Sequence, residues 1–194
     1  MNKPWWLSHI IRWLLIIILL VFISAGFTSH PFNLEKSIKG SLTNMELPND
    51  VDVLSVVEDQ GLYSVLFIDN ENNLYHQSDY KKKLGLFWTP IGGSFGYEKD
   101  PTILAKYHTG MSTHGKKRFY YVIGYVQDPE VENVKIDWGN GIVEKFTPVD
   151  GFYQFVKTTD ISQEIFGSGK VMFYDSNEKL LYTLDYEKNQ IKSE

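Results

Sequence analysis

Cysteine is absent from the 194 residues. No disulfide, thiolate nucleophile, cysteine-ligated zinc or iron–sulfur centre is therefore available, nor a lipid anchor carried on cysteine. An exported domain of this composition has to be stable through its core alone. Positive charge is scarce as well, with 19 Lys and Arg against 24 Asp and Glu. Residues 1–27 hold Lys3 and Arg12 and no acid, so the remainder is more acidic than the net −5 of the whole. Nucleic acid rewards basic faces, so a moderately acidic domain is a poor candidate for it and no such partner is expected. The ~30-residue strand–helix–strand rhythm of a doubly wound fold is missing too. No pattern points to a cofactor.

Charge disappears altogether between Trp13 and Phe27, and residues 7–27 are interrupted only by Ser8, His9 and Arg12. About 20 apolar residues at ~1.5 Å each cross a hydrocarbon core of about 30 Å. Arg12 reaches the headgroups by extending its stem, and Trp5, Trp6 and Trp13 suit the interface. Residues 7–27 are thus expected to partner a membrane. Lys3, Arg12 and the α-amino group lie on the short side, while Lys36 and Lys39 beyond the span are mixed with Glu35. That bias puts the N-terminus in the cytoplasm and the rest outside. The rival is a cleaved signal peptide and secretion. Ser24, Ala25 and Gly26 offer small residues for cleavage, without a clean A-x-A.

The expected organisation is an anchor over 1–27, a linker with a short helix over 28–50, and a β-rich domain over 51–194. Thr28 to Pro31 reads as the exit from the membrane. Asn33 is placed to cap a helix over 34–39, with Leu34 and Ile38 on one face and Gly40 ending it. Leu47-Pro48-Asn49-Asp50 reads as a turn. Strand signals then recur at short spacing. They fall at 51–57, 62–68, 74–77 and 84–89, the last stopped by Pro90 and Gly92-Gly93, and at 102–108 before a polar loop over 109–117. Further runs are 119–126, 131–138, 142–146, 152–156, 171–174 and 180–186. Gly139-Asn140-Gly141 is a hairpin loop, and 161–166 suggests a helical turn. About ten short strands with hairpin turns predict a mainly β fold, an antiparallel sandwich or barrel-like domain preceded by one transmembrane helix and a short helix.

Several motifs suggest chemistry. Gly92-Gly93-Ser94-Phe95-Gly96 fits G-x-S-x-G, but Pro90 and Pro101 flank it and no helical periodicity follows, so a glycine-rich turn is expected. Asp69-Asn70-Glu71-Asn72-Asn73 resembles the start of a calcium loop. Leu74 and Tyr80 stand where an EF-hand needs Gly and Glu, which leaves a polar turn. A similar turn ends the echo between Val65-x-Phe67-x-Asp69 and Val171-x-Phe173-x-Asp175, read as two hairpins made by one rule. His76, His108 and His114 lack metal-site spacing. Trp88, Trp138, Phe87, Tyr120 and Tyr121 suit either a ligand groove or core pairs, and core pairs are preferred. Lys81, Lys82, Lys83 and Lys116, Lys117, Arg118 form two basic triplets in an acidic domain. As loops they are the candidate contacts to anionic headgroups or wall polymer, set against ordinary solvated charge.

The stretches "GLYSVLFIDNENNLYHQ", "KKKLGLFWTPIGGS" and "YVIGYVQDPEVENVKIDWGNG", behind an anchor and the helix of Leu34 to Lys39, are similar to those of a known set of sequences. On them the chain resembles a loose group of uncharacterised membrane-anchored or secreted proteins of spore-forming Gram-positive bacteria, over most of residues 33–146. The resemblance implies location and fold class and no site residues. The expected role is a tethered extracytoplasmic binding or interaction module of the cell envelope, partnered by an envelope protein or anionic polymer. The alternatives are a membrane-anchored hydrolase using Ser94 or a histidine–carboxylate site, and a structural protein that self-associates through a free strand edge.

Overall fold

The computed structural model of the chain describes residues 5–26, 32–44, 50–139, 141–163 and 169–193. Helices α1 (Trp5–Gly26) and α2 (Leu34–Asn44) precede the strands. The first sheet has the order β1 (Val51–Asp59), β2 (Leu62–Asp69), β3 (Leu74–Lys83), β4 (Phe87–Glu98). The second contains β5 (Ile103–His114), β6 (Lys117–Val126), β9 (Phe152–Asp160) and β12 (Gln190–Lys192), in the order β12-β5-β6-β9. The third contains β7 (Asn133–Asp137), β8 (Val143–Phe146), β10 (Lys170–Tyr174) and β11 (Leu180–Leu184), in the order β11-β10-β7-β8. Every pairing is antiparallel.

The second sheet is the middle layer. Along β6, Phe119, Tyr121, Ile123 and Tyr125 pack with Leu62, Leu66 and Tyr75 of the first sheet. The alternate residues Tyr120, Val122 and Val126 pack with Val134, Ile136, Trp138, Val171 and Phe173 of the third. Residues 119–126 are buried without a break, as a strand covered on both faces requires. The outer face of the first sheet, through Val51, Val65, Phe67 and Tyr80, is closed by Ile38 and Leu42 of α2. The layers therefore run α2, first sheet, second sheet, third sheet. Helix α1 remains outside them: its segment Trp6–Ile23 is unburied, and long and apolar enough by composition to cross a membrane.

The fold is the expected mainly β antiparallel domain behind two helices, with several corrections of detail. Asn33 caps α2 through Lys36 N–H at 3.0 Å, yet the helix runs past Gly40 to Asn44. Burial of Ile38 and Leu42, four apart, outweighs the ~1 kcal/mol cost of a helical glycine. Strand β4 runs through Pro90 and Gly92-Gly93. It is an edge strand, where proline breaks no ladder, and shifts in register against β3 absorb the extra residues. Residues 84–86, read as strand, form the β3–β4 turn. Residues 109–117, read as loop, complete β5, turn at Gly115-Lys116 and start β6. Their polar composition is tolerated because that half of β5 is partly exposed. Strands β3 and β9 extend to Lys83 and Asp160, and the three-residue β12 gives no periodic signal. Ile161 to Gln163 form a turn, whereas 164–168, and with them the rest of the expected helical turn, lie outside the described residues, as do 28–31, 45–49 and Asn140.

Within the middle layer, side chains of adjacent strands lie close enough to forbid a methyl group on β6. Tyr153 donates its hydroxyl to the Lys106 carbonyl at 2.7 Å, laying its ring across Gly124. A Cβ on Gly124 meets that carbonyl and the Tyr153 ring. Gly124→Ala is expected to destabilise the fold by about 3 kcal/mol, read as a lowered denaturant midpoint of the full-length chain in detergent.

Candidate functional site

Between the first and second sheets a chain of polar side chains crosses an otherwise apolar layer. Ser55 on β1 donates to Gln154 Oε1 on β9 at 2.5 Å. The amides of Gln154 and Gln77 both donate to Ser64 Oγ, at 2.6 and 2.7 Å. Gln77 also donates to Asp79 Oδ1. Ser112 on β5 donates to Asp79 Oδ2 at 2.8 Å, and His114 Nε2 lies 2.8 Å from Ser112 Oγ and 3.7 Å from Asp79 Oδ2. Ser64, Gln77, Asp79 and Gln154 are almost completely buried, while the His114 side chain keeps 18% of its exposure. The chain thus begins where β1 meets β9 and emerges at the opposite side, beside β5.

Asp79, Ser112 and His114 bring a carboxylate, a hydroxyl and an imidazole together. Their connectivity differs from that of a nucleophilic triad, in which the acid orients one imidazole nitrogen and the other accepts the serine proton. Here the serine proton points to Asp79, and both oxygens approach the same Nε2. The arrangement orients Ser112 and leaves it unactivated. Ser94, the residue singled out by G-x-S-x-G, lies within strand β4 and is paired with the hydroxyl of Tyr121 on β6, and the strand continues past it to Glu98 in place of a helix. The glycines of that motif serve packing. A Cβ on Gly93 would stand 2.7 Å from the Gln77 carbonyl, and Gly96, at a φ of 81°, turns its N–H onto His76 Nδ1 at 3.0 Å.

The other motifs resolve similarly. Asp69 spends its carboxylate on the N–H groups of Glu71 and Asn72, and Asp175 spends its own on Asn177 and Lys179, so the internal echo is one turn chemistry used twice. His76 stacks on Phe67, and burial lowers its pKa against the opposing pull of Asp69. His108 lies against Tyr97, ring centroids 4.2 Å apart, and burial, with Lys106 nearby, lowers its pKa to about 4. Trp138, Phe87, Tyr120 and Tyr121 are buried and Trp88 is half-buried, which places the aromatics in the core and removes them as an open groove.

The outer side of β5 is the second feature. Strand β12 pairs with it only up to Lys106, and the last bond is Tyr107 N–H to the Asn189 carbonyl at 2.9 Å. By alternation the backbone groups of Thr109, Met111 and Thr113 point outward, with no strand beside them among the described residues. A cleft of about 360 Å³ opens where β12 stops, lined by Tyr107, His108, Thr109, Tyr186 and Asn189.

The basic triplets form the third. They lie on strand ends and one tight turn in place of the two expected loops: Lys81, Lys82 and Lys83 end β3, Lys116 sits in the turn, and Lys117 and Arg118 open β6. The fold gathers them at one end of the domain. Lys81 pairs in register with Leu62, next to the Gln60-Gly61 turn, and Lys117 Nζ donates to the Gln60 carbonyl at 3.0 Å. The acids of this end are partly committed: Glu58 accepts from Gly61 N–H and Asp59 from Thr158 N–H. Helix α1 arrives at the same end, because Phe32 contacts Phe22 of α1 at 6.1 Å and Phe87 at 5.0 Å.

Gln77, Asp79, Ser112 and Gln154 were not singled out by the sequence reading. Their signal is a polar residue at an inward position of an apolar period-two run, as in Leu62-x-Ser64-x-Leu66 and Phe152-x-Gln154-x-Val156. Compared with protein-family models, curated proteins and solved structures, the chain has no match.

Removing Asp79 strands the Gln77 amide and the Ser112 hydroxyl, so Asp79→Ala is expected to cost about 3 kcal/mol in chemical denaturation and Asp79→Asn clearly less. His108 favours its neutral form when folded and ionises near 6.5 when unfolded, so its contribution is whole above pH 6.5 and lost as pH falls towards 4. His108→Phe, which keeps the stacking and cannot titrate, should flatten the stability curve over that window by about 2 kcal/mol after allowance for solvent screening.

Proposed function

We propose that this chain is a membrane-tethered interaction module of a bacterial cell envelope. Helix α1 is its uncleaved anchor, the N-terminus is cytoplasmic, and the β domain stands outside the cytosol. The length and composition of α1 support the tether, and the sequence resemblance supports the envelope setting. The module recognises an extended segment of a partner protein along the open half of β5. The observation that carries this reading is that edge: Thr109, Met111 and Thr113 turn backbone groups outward with no strand beside them among the described residues, while His114 offers a part-exposed polar side chain on one face and Met111 an exposed apolar one on the other. Strand addition supplies affinity through the main chain and selectivity through alternate side chains. Tethering raises the effective concentration of the module towards partners at the same surface.

Self-association through the same edge is the second reading, favoured by the same unpaired groups. A hydrolase built on Ser94 has less support, since Tyr121 is its bonded partner.

A photo-crosslinking residue at Met111, in the full-length chain in intact cells, is expected to give a defined adduct. Thr113→Pro, which removes an outward N–H and suits an edge strand, should abolish it. An adduct at twice the mass of the chain would assign the edge to a second copy. No adduct, or one indifferent to the proline, would remove β5 as the binding edge.

A further inference from the structure

The β3–β4 turn is unusual for what it displays. Leu84 and Leu86 are 76% and 62% exposed, on either side of Gly85. Leu84 has a φ of 53° and Gly85 one of 70°, and Leu86 N–H closes the turn on the Lys83 carbonyl at 3.1 Å. Both central positions of such a turn favour Gly, Asn or Asp, and a branched apolar residue is disfavoured there on steric grounds and again by its exposure to water. Nothing among the described residues covers Leu84 there.

The surroundings say what does. Lys81, Lys82 and Lys83 lead into the turn, all exposed, and none forms an ion pair among the described residues. Lys82 lies over the Trp88 ring at 4.4 Å. Phe87, just past the turn, touches Phe32, which touches Phe22 near the end of the apolar segment Trp6–Ile23. Two aromatic contacts therefore separate the turn from the point where the anchor leaves the hydrocarbon. An apolar tip, flanked by cations and set beside a membrane-spanning helix, matches the boundary between acyl chains and anionic headgroups.

We infer that the tip Leu84-Gly85-Leu86 inserts into the leaflet from which α1 emerges, with Lys81, Lys82 and Lys83 on anionic lipid headgroups. The contact rests on the reading of α1 as an uncleaved anchor. It fixes the domain at a second point and sets its orientation, with the β2–β3 turn at the end of β3 that points away from the membrane.

The absence of native cysteine makes the test direct. Full-length Leu84→Cys carries a single environment-sensitive nitrobenzoxadiazole label in vesicles of phosphatidylcholine and phosphatidylglycerol. Blue-shifted emission, quenched by nitroxide-bearing lipid, is expected at residue 84. The same label at Glu71→Cys, about 30 Å away along β3, should report water. Replacing Lys81, Lys82 and Lys83 with Gln should lower the ratio of inserted to free tip about fivefold per lysine, and pure phosphatidylcholine should have a similar effect. Protein that floats with the vesicles while residue 84 reports water would overturn the insertion and leave the anchor standing. A blue shift without quenching would also overturn it, assigning the tip to protein. Failure to float would overturn anchor and insertion together, and quenching indifferent to the lysines would overturn the headgroup contact.

Discussion

Burial of the middle sheet on both faces is the constraint from which the rest of this structure follows. A strand such as β6 cannot alternate between core and water, because Tyr121 and Val122 face two different cores. Polar side chains in that layer have little solvent to turn to, and they are satisfied by backbone carbonyls, as Tyr153 is by Lys106, or by one another. The path from Ser55 through Gln154, Ser64 and Gln77 to Asp79 and Ser112 is the consequence. Each member lies on a different strand from at least one neighbour, so the path also holds the relative position of the two sheets. A shift of β3 against β5 would leave Asp79 Oδ2 buried without its Ser112 donor.

That constraint separates features that look alike in composition. Ser94 and Ser112 are both serines on neighbouring sheets, yet one pairs with a tyrosine hydroxyl and the other joins a carboxylate to an imidazole. His76, His108 and His114 come from different positions in the layering. The first two lie against aromatic rings, where burial disfavours the charge, and the third reaches the rim. Chemistry in this domain is therefore displaced to its borders: the open half of β5, and the end where the lysines and α1 converge.

Much of the fold was legible because it rests on local rules. The turns at Gln60-Gly61 and Asp69 to Asn73, the cap at Asn33 and the hairpin after Trp138 each depend on a few adjacent residues. The errors lie where a distant partner overruled a local signal. Gly40 stays helical because Ile38 and Leu42 bury against strands more than eight residues away. Pro90 stays in a strand because, among the described residues, no strand pairs on its outer side. Residues 109–114 read as loop because nothing local announces that β6 supplies a full ladder to them. The aromatics Tyr120 and Tyr121 could not be divided between groove and core without knowing that both faces of β6 are covered.

The amino-acid order alone determined the apolar helix, the β class, the positions of most turns and the exclusion of thiol chemistry, since each depends on residue type and short-range spacing. Only the tertiary structure decided that two lysine-rich triplets 35 positions apart share one end with α1, that β5 keeps an open edge, and that Asp79 meets Ser112. The reason is physical: such pairings are fixed by which strands become neighbours and which faces are covered, and a pairwise register between distant strands leaves no trace in the spacing of either one.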